Sequence, residues 1–324
     1  MATVPGSSVT NPGSIGVTSS VVGAVLSNPN LVDSSNLTQI EVSSGSGQIV
    51  ASTVAGSGVI STANVATTLL GGGGSNQLLV GNDAAGNVIN TASSNGTIIG
   101  GSGGTQIGLF AGDHNVITGN GNDTVYAAGG SSTIAAGGGS NLIGIGGGNN
   151  LVNSTGNDTI FAGGGSTSIL GSGSSMVLAH AGNSTIVGVG GSSTLFGGSG
   201  TTLLKIDGDR GGLIVGSTSN TGKTSIVGGG GSDTLIGGTG SDTITGGAGS
   251  DIFVFSTVFG GGQSVITDFG TGGDLLAVQG YGLSASQVLD RAVVSGGNTT
   301  ITLGDNTTIT LVGVTNLQVN QIAV

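Results

Sequence analysis

The sequence predicts an all-β protein, a parallel β-roll or β-solenoid of nine-residue repeats closed by a β-rich cap. Of its 324 residues 72 are Gly, 3% are aromatic and none is Cys, which excludes a thick globular core and a disulfide framework. A β-branched residue recurs at every ninth position, at Ile98, Ile107, Val116, Val125, Ile134, Ile143 and Val152. Short strands stacked in successive coils bury such a series in one narrow core.

Each repeat joins a Gly-rich bend to a triplet such as DTV, STI or STL, in which one apolar side chain alternates with polar ones. One buried Val or Ile contributes ~1.5–3 kcal/mol, whereas ordering nine residues costs ~9–18 kcal/mol in backbone entropy. Only stacked repeats are therefore stable. A flexible Gly/Ser linker is the alternative, but linkers have no periodic aliphatic residue. With single-residue slips and one insertion the period reaches Phe253, so we place the solenoid at residues 71–255.

Residues 1–70 have no clear repeat and form either a cap on the solenoid or a tail for assembly. Residues 14–28 are compatible with a short helix or a pair of strands, whereas 48–54 and 58–65 favour strands. The most apolar run, VVGAVL at 21–26, is too short to span a bilayer, and no basic residue precedes it. We therefore expect neither a membrane span nor an N-terminal secretion signal.

Residues 256–324 are predicted to cap the other end of the solenoid. They contain a predicted short helix near 284–291 and the segment TTITL-GDN-TTITL at 299–311, which reads as a hairpin with alternating faces. An open solenoid end exposes unpaired strand groups, and an amphipathic hairpin would close it.

The charge distribution excludes nucleic acid as a partner. The net charge is −11, and the four basic residues are Lys205, Arg210, Lys223 and Arg291, so the first 204 residues have no Lys or Arg. Nucleic-acid binding requires a basic surface. Acidic oxygens on such a chain suit divalent cations instead.

Residues 228–254 contain three consecutive nonapeptides, GGGGSDTLI, GGTGSDTIT and GGAGSDIFV. Their glycines permit positive φ and close backbone approach, and their Asp supplies a hard anionic oxygen suited to Ca²⁺. The pattern is the known calcium-binding nonapeptide of RTX proteins, so the chain resembles the haemolysin-type (RTX) family. The candidate calcium ligands are Gly229, Gly231, Asp233, Gly238, Gly240, Asp242, Gly247, Gly249 and Asp251.

The resemblance implies two nonapeptides per coil, so that bends eighteen residues apart stack on one edge. Asp233 and Asp251 would then share an edge and hold Ca²⁺ between their bends. Asp242 would lie on the other edge, where Thr224 and Gly260 are eighteen residues away and supply no carboxylate. We expect one complete calcium site and a second, partial one.

Upstream, the Asp position of the repeat departs from the family pattern. One edge carries Thr105, Asp123, Asn141, Asp158 and Ser175, and the other carries His114, Ser132, Asn150, Thr167, Ser184 and Thr202. The second edge has no carboxylate, so we expect hydroxyl and amide hydrogen bonds there instead of calcium. Asp123, Asn141 and Asp158 form a weak metal candidate, for which capping of backbone N–H groups without metal is the favoured interpretation.

The sequence contains no recognisable catalytic constellation, so we expect no enzymatic activity. His114 and His180 are the only histidines, no HExxH motif is present, and we recognise no GxSxG nucleophile elbow followed by an acid and a His.

The positions predicted to face outward on one sheet form a partly aromatic stripe, made of Tyr126, Gly144, Phe161, Leu178 and Phe196. Exposed apolar stripes mark contact surfaces. The alternative is that residues 1–70 fold over the stripe.

These observations favour a secreted, calcium-binding structural protein of an extracellular layer, matrix or fibre that self-associates. The segment ITDF…GDLL…GYG resembles the C-terminal module of RTX proteins, which implies type I export from a Gram-negative cell. Two alternatives remain. One is an extracellular binding module or adhesin for carbohydrate or ice, with cell-surface polysaccharide as partner, and the other is a non-catalytic remnant of a secreted RTX enzyme.

Overall fold

The computed structural model describes residues 7–9, 39–43, 47–50, 55–61, 63–84, 86–92, 95–217, 219 and 221–324. These residues are almost entirely β-structure with parallel strand pairing, which confirms the predicted fold class. The chain divides into two compact units, Met1–Ile160 (unit 1) and Phe161–Val324 (unit 2). In the described part of the chain no helix is long and apolar enough to cross a membrane. The predictions for residues 14–28 lie outside the described residues.

Unit 1 alternates its strands between two parallel sheets. Sheet 1A contains β2 (Gln39–Ser43), β4 (Ser57–Ser61), β6 (Gln77–Val80), β8 (Gly96–Ile99), β10 (His114–Gly119), β12 (Thr133–Ala136) and β14 (Asn150–Ser154), with β1 (Ser7–Val9) antiparallel to β2. Sheet 1B contains β3 (Gly47–Val50), β5 (Thr67–Leu70), β7 (Asn87–Thr91), β9 (Thr105–Leu109), β11 (Thr124–Ala127) and β13 (Leu142–Ile145). Strand β15 (Thr159–Ala162) contains the boundary between the units, with Phe161 as the first residue of unit 2. Each coil thus contributes one short strand to each sheet.

The nine-residue period places its apolar residues in the core of unit 1. Val116 pairs with Ile134, and Val125 pairs with Ile143, so strands eighteen residues apart lie side by side. All seven residues of the series from Ile98 to Val152 are at most 2% exposed. Because side chains alternate across each strand, their neighbours face solvent.

Coil-like pairing extends upstream of residue 71, where the sequence analysis placed the start of the solenoid. Strand β2 pairs in parallel with β4, and β3 pairs in parallel with β5. Successive coils here differ in length, since Gln39 pairs with Ser57 but Gly47 pairs with Thr67. This variation between eighteen and twenty residues hides the nine-residue period.

Unit 2 continues the same alternation and ends in the cap. Sheet 2A contains β16 (Thr167–Gly173), β18 (Ser184–Gly190), β20 (Thr201–Asp207), β22 (Lys223–Gly229), β24 (Ser241–Gly247), β26 (Gln263–Ile266), β28 (Ala292–Ser295), β29 (Asn298–Thr302) and β30 (Thr308–Leu311). Sheet 2B contains β17 (Met176–Ala179), β19 (Thr194–Phe196), β21 (Leu213–Val215), β23 (Thr234–Ile236), β25 (Ile252–Ser256), β27 (Leu275–Gln279) and β31 (Ile322–Ala323).

The predicted helix and hairpin of the cap are both present. Helix α1 (Ala285–Leu289) starts at Ser284, whose side chain accepts from the Gln287 backbone N–H in a capping box. Strands β29 and β30 form the antiparallel hairpin, and β30 then pairs in parallel with β26. The hairpin therefore covers the last coil strand of sheet 2A.

The outward face of sheet 2B is partly covered within unit 2. Val215, Ile236, Val254 and Ala277 form a buried cluster, against which Phe196 and Phe259 pack. Phe161, in contrast, is 46% exposed. In unit 2 the predicted aromatic stripe is therefore exposed at Phe161 and half-buried at Phe196.

Candidate calcium centre

Asp233 and Asp251 occupy equivalent places in two stacked bends of unit 2. Asp233 precedes β23 and Asp251 precedes β25, and these strands are paired in parallel. The backbone N–H of Asp233 donates to Oδ1 of Asp251 at 2.8 Å, and the N–H of Gly212 donates to Oδ1 of Asp233 at 2.7 Å. Each carboxylate thus uses one oxygen to hold the preceding bend. Stacking brings the two predicted ligands together.

The second oxygen of each carboxylate is available to a cation. Oδ2 of Asp233 and Oδ2 of Asp251 are buried and have no hydrogen-bond partner. A Cβ built on Gly228 would lie 2.6 Å from Oδ2 of Asp233 and would also overlap the carbonyl oxygen of Gly246. A carboxylate oxygen and a glycine carbonyl oxygen therefore converge beside Gly228, which fits the all-oxygen coordination of Ca²⁺.

Each predicted ligand glycine is required either because its φ angle is positive or because a Cβ at its position would clash with the preceding bend. Positive φ angles of 112°, 100° and 116° occur at Gly229, Gly247 and Gly249. At the other three a Cβ would overlap backbone atoms of the preceding bend, at Gly231 against Gly211, at Gly238 against Ser217 and at Gly240 against Gly222. Glycine thus lets adjacent bends approach closely enough for carbonyl groups to line the space between them.

Burial makes these carboxylates costly to ionise without a cation. Desolvation, opposed by the hydrogen bond from Gly212 and reinforced by the charge of Asp251, raises the pKa of Asp233 to about 7. Burial likewise raises the pKa of Asp251, with Asp274 and Asp268 adding repulsion. A bound Ca²⁺ would supply the positive charge that favours the ionised forms and would join the two bends.

Two further carboxylates extend this edge into the cap, and the sequence analysis missed them. The N–H of Asp251 donates to Oδ1 of Asp274 at 3.0 Å, and Asp268 accepts from the N–H groups of Gly246 and Gly247 at 2.9 and 2.8 Å. Asp274 follows Asp251 by 23 residues rather than eighteen, so the insertion hid its place in the column. The GTGGD segment that contains Asp274 was the available signal.

Asp242 lies on the opposite edge and is satisfied differently. Its Oδ2 accepts from the N–H of Gly238 in its own bend at 2.9 Å, and its Oδ1 is buried without a partner. Its strand neighbours are Thr224 and Ser264. The sequence analysis placed Gly260 in the second position, and the four extra residues of this coil move Ser264 there instead. Neither neighbour supplies a carboxylate, and burial raises the Asp242 pKa.

The weak candidates Asp123, Asn141 and Asp158 form a column of side-chain to backbone hydrogen bonds in unit 1. The N–H of Asp123 donates to Oδ1 of Asn141 at 2.8 Å, and the N–H of Asn141 donates to Oδ1 of Asp158 at 2.7 Å. The N–H of Thr105 donates to Oδ1 of Asp123 at 2.7 Å. This column therefore uses the same ladder as the downstream pair.

The two upstream aspartates differ from the downstream pair in what faces Oδ2. Ser154 donates its hydroxyl to Oδ2 of Asp158. Thr118 lies close enough to lower the pKa of Asp123, against the larger raising effect of burial, although no hydrogen bond of normal geometry joins the two side chains. In the strand register, Gly228 and Gly246 occupy downstream the positions that Thr118 and Ser154 occupy upstream. A hydroxyl thus occupies the place where the downstream bends leave space.

The hydroxyl side chains on the other edge do not form the predicted hydrogen bonds between bends. Asn150 accepts from the N–H of Ser132 at 2.8 Å, as expected for an amide. The hydroxyls of Ser132, Thr167, Ser184 and Thr202, however, are buried without a protein partner.

His114 is the buried first residue of β10, directly after the bend. It is 3% exposed, and its Nε2 lies 3.0 Å from the carbonyl oxygen of Ala111. Burial lowers its pKa. Across the described residues no three acidic or histidine side chains converge on one point. A cation between the bends would therefore depend on backbone carbonyls together with Asp233 and Asp251.

Comparison with known proteins identifies the repeats. The family model for the RTX calcium-binding nonapeptide repeat matches four copies, at residues 117–152, 153–174, 178–201 and 219–255. These segments of the chain are RTX-type repeats. The repeats are of the calcium-binding class, and the match reaches the degenerate upstream bends, for which the sequence analysis had only the period. RTX repeats are typical of secreted proteins.

No curated protein matches this RTX-type chain. Among solved structures, it is similar to the extracellular lipase LipA from Serratia marcescens, with 16% sequence identity and a TM-score of 0.25. The alignment covers 81% of this chain and 45% of the lipase chain, so the chain spans less than half the length of that protein.

Proposed function

We propose that this RTX-type protein is a secreted structural component of an extracellular layer, matrix or fibre, exported by a type I system and assembled by self-association. Calcium holds the downstream bends together and takes no part in a chemical reaction. The observation that carries the self-association is the set of large apolar side chains exposed on the sheet faces of unit 2.

The exposed set of unit 2 lies on both sheets. Phe161, Leu170 and Met176 are 46%, 43% and 42% exposed. Leu170 faces outward from sheet 2A, whereas Met176 faces outward from sheet 2B. Apolar side chains on two opposite faces suit a subunit that contacts neighbours on both sides.

The cap offers a further contact. Strand β28 pairs with β29 on one side, and its Val293 and Val294 are 64% and 54% exposed. An edge strand with exposed apolar side chains is a template for pairing with another chain.

The proposal includes the absence of catalysis. A shallow groove of about 510 Å³ on sheet 2A is lined by Thr201, Lys223, Gln263 and their neighbours, including Asp242. The Asp242 carboxylate, however, is buried and accepts from Gly238 inside its own bend. With Asp242 excluded, Lys223 is the charged side chain that remains among the groove residues. No acid lies opposite it to act as its partner in proton transfer.

Sedimentation and electron microscopy of the purified protein, with Ca²⁺ and with chelator, test the proposal. We expect filaments or sheets in Ca²⁺ and a smaller species for the double variant Phe161→Ser with Met176→Ser. Phe196 is left intact because it packs against the buried cluster around Val215.

The matched control is Val319→Ser, which removes an apolar side chain that is 49% exposed in the cap. It should assemble like the unchanged protein. A monomer at all protein concentrations in Ca²⁺, or equal assembly by the double variant, would contradict the proposal.

A further inference from the structure

Three exposed apolar side chains form a diagonal ridge on sheet 1B. Phe110, Tyr126 and Leu142 are 60%, 58% and 45% exposed. The register pairs Tyr126 with Gly108 and Gly144, and pairs Thr124 with Gln106 and Leu142. Each step along the ridge therefore moves one strand across and two residues along, which is about 8 Å from the sheet spacings. The ridge is about 16 Å long and one side chain wide.

Glycines beside the ridge let its aromatic rings lean along the sheet. Cδ2 of Tyr126 lies 3.2 Å from the place where a Cβ of Gly144 would stand. Cε2 of Phe110 lies 3.9 Å from the corresponding place at Gly108, and the Asn90 amide oxygen lies over the same glycine. Each ring thus exposes one face, and beside Phe110 that face adjoins an amide group.

The side chains around the ridge are neutral and polar. The outward positions of β9, β11 and β13 carry Gln106 and Thr124 but no charged residue. Aromatic faces pack against apolar ligand surfaces, while amides and hydroxyls pair with ligand hydroxyl groups. Sugar rings combine a C–H face with a rim of hydroxyls, and a linear glycan matches the narrow shape of the ridge.

The area of the ridge favours a glycan over a second copy of this chain. At the exposures above, the two rings and the Leu offer on the order of 300–400 Å². A stable protein interface needs about 800 Å² from each partner. By itself the ridge therefore supplies at most about half of a protein interface, whereas its area matches a few sugar rings.

We propose that the Phe110–Tyr126–Leu142 ridge of unit 1 is a binding site for a neutral, linear polysaccharide. Tyr126 and Phe110 stack on sugar rings, and Gln106, Thr124 and Asn90 pair with hydroxyl groups. The residues of this site are distinct from those of the self-association proposed above.

Affinity electrophoresis with the full chain tests this site, using soluble hydroxyethylcellulose, mixed-linkage β-glucan and dextran as neutral probes and alginate as an anionic one. We expect at least one neutral glucan to retard the protein. The double variant Phe110→Ala with Tyr126→Ala should bind that glucan at least tenfold more weakly. Tyr126→Phe keeps the ring face and should bind within a few-fold of the unchanged protein.

The matched control is Leu151→Ala, which removes a side chain of similar exposure, 48%, from sheet 1A. It should bind like the unchanged protein, and circular dichroism should show the same fold for every variant. The proposal is overturned if no neutral glucan retards the protein, if alginate alone does, or if the double variant binds normally. A lower sedimentation coefficient for the double variant would also overturn it, since the ridge would then contact a second copy.

Discussion

The bends at residues 118–158 in unit 1 and those at residues 228–274 in unit 2 share one pattern of side-chain to backbone hydrogen bonds. They differ in what the second carboxylate oxygen of the Asp faces. In both, Oδ1 of an Asp accepts the backbone N–H of the preceding bend. They differ at Oδ2, which faces Ser154 in the upstream bend of Asp158 but faces Gly246 in the downstream bend of Asp251. The Asp alone therefore does not define a calcium site. The residue four or five positions before it determines what its second oxygen faces, and at Asp158 that residue, Ser154, supplies a donor.

This difference follows from the cost of burying a carboxylate. Asp158 and Asp251 are 2% and 1% exposed, so each needs a donor or a cation at its second oxygen. Ser154 supplies a donor that is part of the fold. Glycine at the same place supplies no donor, so the second carboxylate oxygen needs a cation such as Ca²⁺ instead.

Calcium removal should separate the two regions most clearly. In chelator we expect amide hydrogen exchange to accelerate at least tenfold at residues 228–251, because two buried carboxylates lose their counter-charge. Residues 141–158 should exchange at an unchanged rate, since Ser154 remains as a donor to Oδ2 of Asp158. Hydrogen-exchange mass spectrometry in Ca²⁺ and in chelator measures both regions at once. Equal acceleration in both would remove the distinction.

Asp251→Asn should have the next largest effect. Asn keeps the Oδ1 acceptor for the N–H of Asp233 but loses the charge that binds a cation. Calcium affinity, measured by calorimetry, should fall at least tenfold, about 1.4 kcal/mol. Without calcium the variant should be at least as stable as the unchanged protein at neutral pH, because burial raises the pKa of Asp251 and its ionisation therefore opposes folding.

Asp158→Asn is the matched control for that substitution. It makes the same chemical change in a bend whose Oδ2 already has a hydroxyl donor. We expect the same calcium stoichiometry and affinity as in the unchanged protein. A loss of calcium equal to that of Asp251→Asn would show that the upstream column is also occupied.

The fold was predictable because the same nine-residue pattern occurs many times in the sequence. The series from Ile98 to Val152 has one residue in each strand, and one residue missed would have left the period intact. The ladder from Asp233 to Asp251 was equally accessible, because both lie in uninterrupted nonapeptides.

The parts that were missed depend on chain length between coils. Asp274 and Ser264 were missed because their coils hold 23 and 22 residues, and a fixed count of eighteen assigns the wrong neighbours. The role of Ser154 was invisible for another reason. Its contact with Asp158 depends on which way a side chain turns inside a bend, and spacing does not encode that.

Glycine at the hydroxyl position should create a calcium site upstream. A triple variant, Ala136→Gly with Asn141→Asp and Ser154→Gly, gives two consecutive bends of unit 1 the pairing found at Gly228–Asp233 and Gly246–Asp251. We expect one additional Ca²⁺ per chain by equilibrium dialysis. Without calcium this variant should be destabilised, because Asp158 loses its donor at a cost of about 1–3 kcal/mol.

The double variant Ala136→Gly with Asn141→Asp retains Ser154 and serves as the control. It adds the same carboxylate but keeps the hydroxyl that occupies Oδ2 of Asp158. It should bind no additional Ca²⁺. Extra binding by this control would show that carboxylate count, and not the hydroxyl, limits calcium upstream.

The smallest expected effect belongs to Thr118→Val, because no hydrogen bond of normal geometry joins Thr118 to Asp123. The folded-state pKa of Asp123 already lies above 3.8, so its ionisation opposes folding, and this penalty develops as pH rises from 3.8 through the folded-state value. Thr118 lowers that pKa, and its loss should raise it further. The variant should therefore be less stable at neutral pH, by about 0.5 kcal/mol or less. Below pH 3.8 its stability should equal that of the unchanged protein, because Asp123 is protonated in both the folded and the unfolded state. Denaturant unfolding at pH 3 and pH 7 measures this difference. A loss of stability that persists at pH 3 would mean that Thr118 acts through packing rather than through the carboxylate.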